Sequence, residues 1–143
     1  MSFTIRTLFF VLLGLASTGL RAQCDFSVYQ EMAAEKIPAA HKLLKSYHVD
    51  GKDGDLKQMT VKLNLRKDVN YHIQLAAGEG GADGIIAAVL NSKGNEVASS
   101  YSHTGYGDHF NYRCRQSGVY TIQFTFKESA SYCGAATVST AAK

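Results

Sequence analysis

Apolar and polar residues alternate along the second half of this chain, and this period of two is the feature that most limits how it can fold. The clearest segment is 120–126, in which three polar residues separate four apolar ones: Tyr120, Thr121, Ile122, Gln123, Phe124, Thr125 and Phe126. A period of two places every second side chain on the same face of a β-strand. The segment therefore predicts a strand with one buried face and one solvated face.

Further segments of this kind are separated by turn-forming residues. The predicted strands are 59–65, 69–75, 85–90, 96–101, 110–114, 120–126 and, more weakly patterned, about 133–140. Segment 85–90 is apolar on both faces and predicts a more buried strand. The short connections exclude a parallel sheet, because parallel strands need long crossovers. Seven such strands predict a mainly β fold, an antiparallel β-sandwich or jelly roll.

A helical period precedes the strands. Between Asp25 and Tyr47 the apolar residues recur at spacings of three or four, which predicts an amphipathic helix packed on its own domain. Ser27 with Gln30 fits a capping box at its start, and Asp25 is an alternative N-cap. Pro38 has no amide hydrogen to donate, so we expect the helix to kink there or to restart as a second piece.

Residues 1–22 have the pattern of a secretory signal peptide. Arg6 precedes an apolar run from Leu8 to Leu15, and small residues lie between this run and Ala22. The run is too short for a stable membrane span, and no transmembrane segment is expected in the mature chain. The sequence thus predicts a secreted or periplasmic protein. Its expected parts are the signal peptide 1–22, a helix and connector 23–57 and a sandwich 58–143, the last two forming one domain.

Charge limits the partners that the mature chain is expected to bind. All 12 acidic residues follow Ala22. Thirteen basic residues do so as well, which leaves a net charge of +1 with neutral histidines. No stretch of the sequence concentrates Lys and Arg into a basic face, so a nucleic-acid partner is not expected.

Three cysteines follow the signal peptide: Cys24, Cys114 and Cys133. Export permits disulfides, and three thiols allow one intramolecular bond with one cysteine left over. Cys114 and Cys133 both lie in the strand region, but a meander would place them at opposite ends of the sheet. A bond from Cys24 to one of them would fasten the N-terminal segment to the sandwich. Both pairings remain open.

Residues 69–126 contain several patterned segments in a recognisable order. They are Val-Asn-Tyr-His-Ile-Gln-Leu from 69, Asn-Ser-Lys-Gly-Asn-Glu-Val from 91, and Phe-Asn-Tyr-Arg-Cys-Arg-Gln-Ser-Gly-Val-Tyr-Thr-Ile-Gln-Phe from 110. The chain in this region resembles secreted jelly-roll modules of the bacterial pre-peptidase C-terminal type and, more distantly, the Golgi-dynamics sandwiches of eukaryotic cargo receptors. The resemblance implies a sandwich fold and an accessory role beside a secreted enzyme. This chain differs by its N-terminal helix and by carrying no enzyme.

The loop 101–109 concentrates more chemically versatile side chains than any other. Tyr101 and Tyr106 offer a stacking surface for sugars or peptide side chains, and His103 and His109 add polar contacts. We interpret these four as candidate ligand-binding residues. His103, Asp108 and His109 are also a candidate metal site.

A Gly/Asp-rich stretch follows the predicted helix. Asp50, Asp53 and Asp55 offer the oxygen ligands that calcium prefers, and they are candidate calcium ligands. Their spacing does not match an EF-hand loop, and a solvated turn explains them equally. No other cofactor is expected.

The remaining histidines do not form a motif. His41 on the helix, His48 beside a turn and His72 on a solvated strand face are interpreted as ordinary surface residues.

No nucleophile elbow, metalloprotease helix or other catalytic motif is present in the sequence. We therefore expect an exported, non-enzymatic β-sandwich module that binds a protein or glycan at the cell envelope or outside the cell. Two alternatives remain. One is a metal-dependent secreted enzyme that uses the 101–109 loop, and the other is a purely structural component of the envelope.

Overall fold

The computed structural model describes residues 23–142. The predicted signal peptide lies outside the described residues. Within them the chain forms helix α1 (Phe26–Glu35), a 3-10 turn (Lys52–Gly54) and ten strands. The strands are β1 (His41–Asp50), β2 (Gln58–Leu65), β3 (Asn70–Ala77), β4 (Ile85–Leu90), β5 (Glu96–Ser99), β6 (Tyr101–Ser102), β7 (Gly105–Tyr106), β8 (His109–Arg113), β9 (Gly118–Phe126) and β10 (Cys133–Ala141). The predicted mainly β fold is confirmed.

Two four-stranded sheets form the sandwich. The first sheet has the order β1-β10-β3-β8, the second has the order β2-β9-β4-β5, and β6 pairs with β7 as a separate hairpin. Every ladder is antiparallel. The seven strands that the alternation predicts are all present, and β1, β6 and β7 are additional.

The core lies between the two sheets and is built from the inward residues of the alternating segments. Leu75 of β3 faces Ile122 and Phe124 of β9, each at most 1% exposed. Strand β4 lies between β9 and β5, and its residues Ile85 and Val89 are equally buried. On the other face of the strand Ala88 is buried, whereas Ile86 and Leu90 are only partly buried.

Helix α1 covers the first sheet from outside. Asp25 is its N-cap and accepts the amide of Ser27 at 3.1 Å, so the alternative N-cap is the one the protein uses. The helix packs on β10, β3 and β1. Ala33 of the helix and Ala76 and Ala135 of the sheet are fully buried, although they lie outside the core cluster between the sheets. These small side chains let the helix backbone approach the sheet closely.

The predicted helical structure beyond Glu35 is wrong. Residues 41–50 form β1, an edge strand of the first sheet, in place of a second helical piece or a connector. The β1–β10 register shifts between Leu43 and Lys45, where an extra residue is inserted into β1. A bulge of this kind interrupts the alternation of apolar and polar residues. The apolar residues Leu44 and Tyr47 are then three positions apart, a spacing that is typical of one face of a helix.

A disulfide joins Cys24 to Cys133, with a Cα–Cα distance of 5.4 Å, and Cys114 is a buried free thiol. The pairing that fastens the N-terminal segment is therefore confirmed, and the local Cys114–Cys133 pairing is wrong. Arg113, the residue before Cys114, pairs with Asn70 at one end of β3. Gly134, the residue after Cys133, pairs with Ala77 at the other end. These two positions lie about 23 Å apart along β3, which no disulfide can bridge.

Candidate binding surface

A short hairpin stands apart from both sheets and contains the tyrosines of the 101–109 loop. Its two strands pair Tyr101 with Tyr106 and Ser102 with Gly105, and His103 lies at the tip. The hairpin forms its own two-stranded ladder and does not extend either sheet. It therefore lies outside both sheets, although Tyr106 packs against the core between them.

The two tyrosine rings form a partly exposed aromatic pair, in which Tyr106 is half-buried and packs against the core. Their centroids lie 5.1 Å apart at an interplanar angle of 60°, and Tyr101 is 45% exposed. Lys127 places its Nζ 5.7 Å from the centre of the Tyr101 ring. Burial and the nearby Glu128 carboxylate raise the pKa of the Tyr106 hydroxyl, so it stays protonated and able to donate. The pair thus offers an apolar surface flanked by a positive charge, a negative charge and two hydroxyls.

The base of the hairpin is fixed by buried hydrogen bonds. Ser100 is 6% exposed, and its amide donates to the carbonyl of Ala87 at 2.8 Å while its hydroxyl accepts the amide of Ala87 at 2.9 Å. Across the base, the amide of Gly107 donates to the carbonyl of Ser100 at 2.8 Å. A Cβ at Gly107 would lie 2.8 Å from that same oxygen, so a larger residue does not fit. The tip is exposed while its base is part of the fold.

The histidines and the aspartate of the candidate metal site are not gathered around one point. Asp108 accepts from Lys36 Nζ and from His109 Nδ1, each at 2.8 Å, while His103 lies at the hairpin tip. Burial alone would raise the pKa of Asp108, but the hydrogen bonds from Lys36 and His109 outweigh it and lower the pKa to about 2. The structure uses this carboxylate to attach the end of α1 to the start of β8. Within residues 23–142 there is no group of three His, Cys, Asp or Glu side chains arranged to hold a metal ion.

The Gly/Asp-rich stretch forms the connection after β1. Asp50 accepts from the amide and from Nζ of Lys52, each at 2.8 Å. Asp53 has a φ of 55° within the 3-10 turn, and Asp55 follows that turn as its C-cap. The contacts around Asp50 are those of a turn closed by its own residues, and calcium binding there stays a prediction.

Three histidines that the sequence pattern left unconnected form a row on the outer face of the first sheet. The ring of His72 lies 5.8 Å from that of His41 and 5.5 Å from that of His109. His72 is only 5% exposed, and its Nδ1 lies 2.9 Å from Oδ1 of Asn111. Sequence reasoning missed the row because it placed His41 on a helix and His72 on a solvated face. The cross-strand register alone brings them together.

His48 also has a defined environment. Its Nε2 lies 3.0 Å from Sγ of Cys24, and its ring lies 5.1 Å from that of Phe26. An open depression of about 690 Å³ lies beside the same disulfide and is lined by Asp50, Lys52 and Tyr132, among others.

Comparisons with known proteins show a likeness to solved structures. No family model and no curated protein matches the chain. The periplasmic inhibitor of g-type lysozyme from Aeromonas hydrophila, PliG, is similar in structure, with a TM-score of 0.42 and 11% sequence identity over 72% of this chain and 86% of that chain. The resemblance to pre-peptidase C-terminal modules stays a prediction. No helix among residues 23–142 has the length and apolar character that a membrane crossing requires.

Proposed function

We propose that this chain is an exported, non-enzymatic binding module that recognises a protein partner through the hairpin 101–106. The observation that carries the proposal is the Tyr101–Tyr106 pair on a hairpin outside both sheets, with the Tyr101 ring 45% exposed and the Tyr106 ring held against the core. An exposed tyrosine ring on a fixed support is a suitable anchor for a pocket on a protein partner.

The side chains of the hairpin suit this role energetically. Tyrosine has two side-chain torsions and a large amphipathic ring, so it buries much area for little loss of conformational entropy. Lys127 and Glu128 at the base of the hairpin supply one charge of each sign beside the rings. Because the base is already fixed by the Ser100 hydrogen bonds, little further ordering opposes association.

Two features support export. The pattern of residues 1–22 is that of a signal peptide, and Cys24, two residues after it, forms a disulfide. Structural disulfides form and persist mainly in oxidising compartments. We infer a secreted or periplasmic location.

A binding experiment with two variants tests the role of the hairpin. The protein is screened against envelope proteins and against a glycan array, and affinities are measured for the partner found. We expect a protein partner whose binding weakens about 30-fold or more when Tyr101 and Tyr106 are both replaced by alanine, because aromatic anchors dominate interface energies. Tyr29→Ala, which removes a partly exposed tyrosine from α1, is the matched control.

Three results would count against the proposal. Unchanged binding in the double variant would remove the hairpin from the interface. Capture of a glycan alone would change the class of partner. A stoichiometric transition metal in protein purified without added metal would favour the alternative of a metal-dependent enzyme.

A further inference from the structure

Two turns that are far apart in sequence meet at the end of the sandwich opposite the hairpin. One connects β2 to β3 and the other connects β8 to β9. The amide of Lys67 donates to the hydroxyl of Ser117 at 2.8 Å, and the amide of Asp68 donates to the carbonyl of Cys114 at 2.8 Å. The amide of Cys114 in turn donates to the carbonyl of Val69 at 3.0 Å. These bonds hold the two turns side by side.

Four exposed cationic side chains converge at this junction. We call them the basic end: Arg66, Lys67, Arg113 and Arg115. Asp68 is the acidic residue of the two turns. Residues 23–142 contain twelve basic and twelve acidic residues, so the rest of the described chain carries a net charge of −3 while this junction carries +3. The near-neutral net charge of the sequence conceals this separation.

The cations of the basic end are weakly engaged within the protein. Arg113 Nη2 lies 3.7 Å from Asp68 Oδ1, and the two side chains are 70% and 64% exposed. An exposed ion pair at that distance contributes little to stability, so it offers little competition to a ligand. The guanidinium groups are presented to solvent on turns whose backbone is already fixed.

An open groove of about 590 Å³ runs beside these cations, between an edge strand of each sheet. Arg113, Arg115 and Asn111 line its polar wall on the β8 side. Val97 and Ala98 of β5 line the opposite wall, and Val97 is 38% exposed. Asp68 also lines the groove, so it combines two guanidinium groups, one carboxylate, an amide and a small apolar strip.

We propose that the basic end and this groove bind an acidic polysaccharide. Guanidinium groups donate paired hydrogen bonds to carboxylate, sulfate or phosphate substituents. Because Oδ1 of Asn111 contacts His72, the amide nitrogen of Asn111 is the group left to donate to a sugar hydroxyl. The apolar face of a sugar ring packs along Val97 and Ala98. This site is separate from the hairpin and does not depend on the function proposed above.

The groove favours a polysaccharide over a nucleic acid for one structural reason. Proteins that bind single strands stack successive bases on exposed aromatic rings. Tyr112 is the aromatic residue among those lining the groove, and it is 9% exposed and belongs to the core. The groove therefore provides cations and an apolar strip without a stacking platform.

Affinity measurements on the disulfide-bonded protein test the site. The probes are heparin, polygalacturonate, neutral dextran and a single-stranded oligonucleotide, each at 0.15 M salt and over a salt series. We expect binding to one or both acidic polysaccharides and none to dextran. Replacing Arg113 and Arg115 by glutamine should weaken that binding about tenfold or more and flatten its salt dependence.

The control is the pair of substitutions Lys42→Gln and Lys45→Gln on β1, which removes the same charge from the opposite edge of the first sheet. We expect a change of about twofold or less there. Equal losses in the two double variants would overturn the proposal, because they would show attraction by net charge alone. Absence of polysaccharide binding at 0.15 M salt, or tighter binding of the oligonucleotide through the same arginines, would also overturn it.

Discussion

The two ends of the sandwich are held in different ways. At one end, which we call the disulfide end, the loops 51–57, 78–84 and 127–132 meet around Cys24–Cys133. Side chains hold these loops: Asp83 accepts from the hydroxyls of Ser129 and Ser131 and from the amides of Ala130 and Ser131. At the basic end two short turns are joined mainly by backbone hydrogen bonds.

This difference indicates at which end the charged side chains are not needed to hold the loops and are free to bind a ligand. Long loops leave many backbone groups without strand partners, so polar side chains are used to satisfy them. At the disulfide end Gly84 has a φ of +66°, and a Cβ there would collide with the backbone of Glu128. At the basic end the two turns are bonded to each other mainly through backbone groups, and their charged side chains stay exposed. We therefore expect stability to depend on the first end and the proposed binding of an acidic polysaccharide on the second.

The largest effect is expected from removal of the disulfide. Replacing Cys24 and Cys133 by serine should lower the free energy of unfolding by about 2–5 kcal/mol, because the bond closes a long loop in the unfolded chain. Urea unfolding of the oxidised protein and of the variant measures the loss. The wild type in the presence of a dithiol should unfold like the variant. An unchanged midpoint would show that the disulfide end does not depend on this bond.

A smaller effect is expected at Asp83. Asp83→Asn removes a charged acceptor of several hydrogen bonds and should cost about 1–3 kcal/mol at pH 7. Asp55→Asn, which removes an exposed carboxylate from the same end, is the control and should be nearly neutral. Equal losses in both variants would mean that net charge, and not the hydrogen bonds of Asp83, matters.

The same carboxylate predicts a pH dependence. Burial alone would raise the pKa of Asp83, but hydrogen bonds from Ser131, Ser129 and Ala130 outweigh it and lower the pKa. A lowered pKa means that the stabilisation is present above the unfolded value of about 3.9 and is lost as the pH falls through the folded value. Unfolding curves of the wild type and Asp83→Asn should therefore converge in acid. A difference that stays constant down to pH 2 would contradict this account.

The smallest effect is expected where the two turns of the basic end meet. Ser117→Ala removes the acceptor of the Lys67 amide, which water can replace at this exposed position. We expect a loss of about 0.5–1 kcal/mol in urea unfolding. Ser92→Ala, in the turn between β4 and β5, is the control and should lose less. A loss as large as that of Asp83→Asn would remove the contrast between the two ends.

Local patterns in the sequence were sufficient for most of the fold. The period of two predicted seven strands because each strand buries one face against the same core, which is a property of neighbouring residues. The pattern did not reveal β1, because the bulge near Leu44 breaks the alternation at the point where it would be recognised. The tyrosine pair of the hairpin was found from composition, since Tyr101 and Tyr106 lie in one short loop.

Contacts between distant segments were decided by the tertiary structure alone. The sequence contains Cys24, Cys114 and Cys133 but does not determine which two of them pair. The length of β3 keeps Cys114 and Cys133 too far apart to form a disulfide. His41, His72 and His109 are neighbours through strand register, and the arginines of the basic end meet because two turns share hydrogen bonds. Periodicity records which face of a strand each residue occupies, whereas the choice of strand neighbours depends on how the whole core packs.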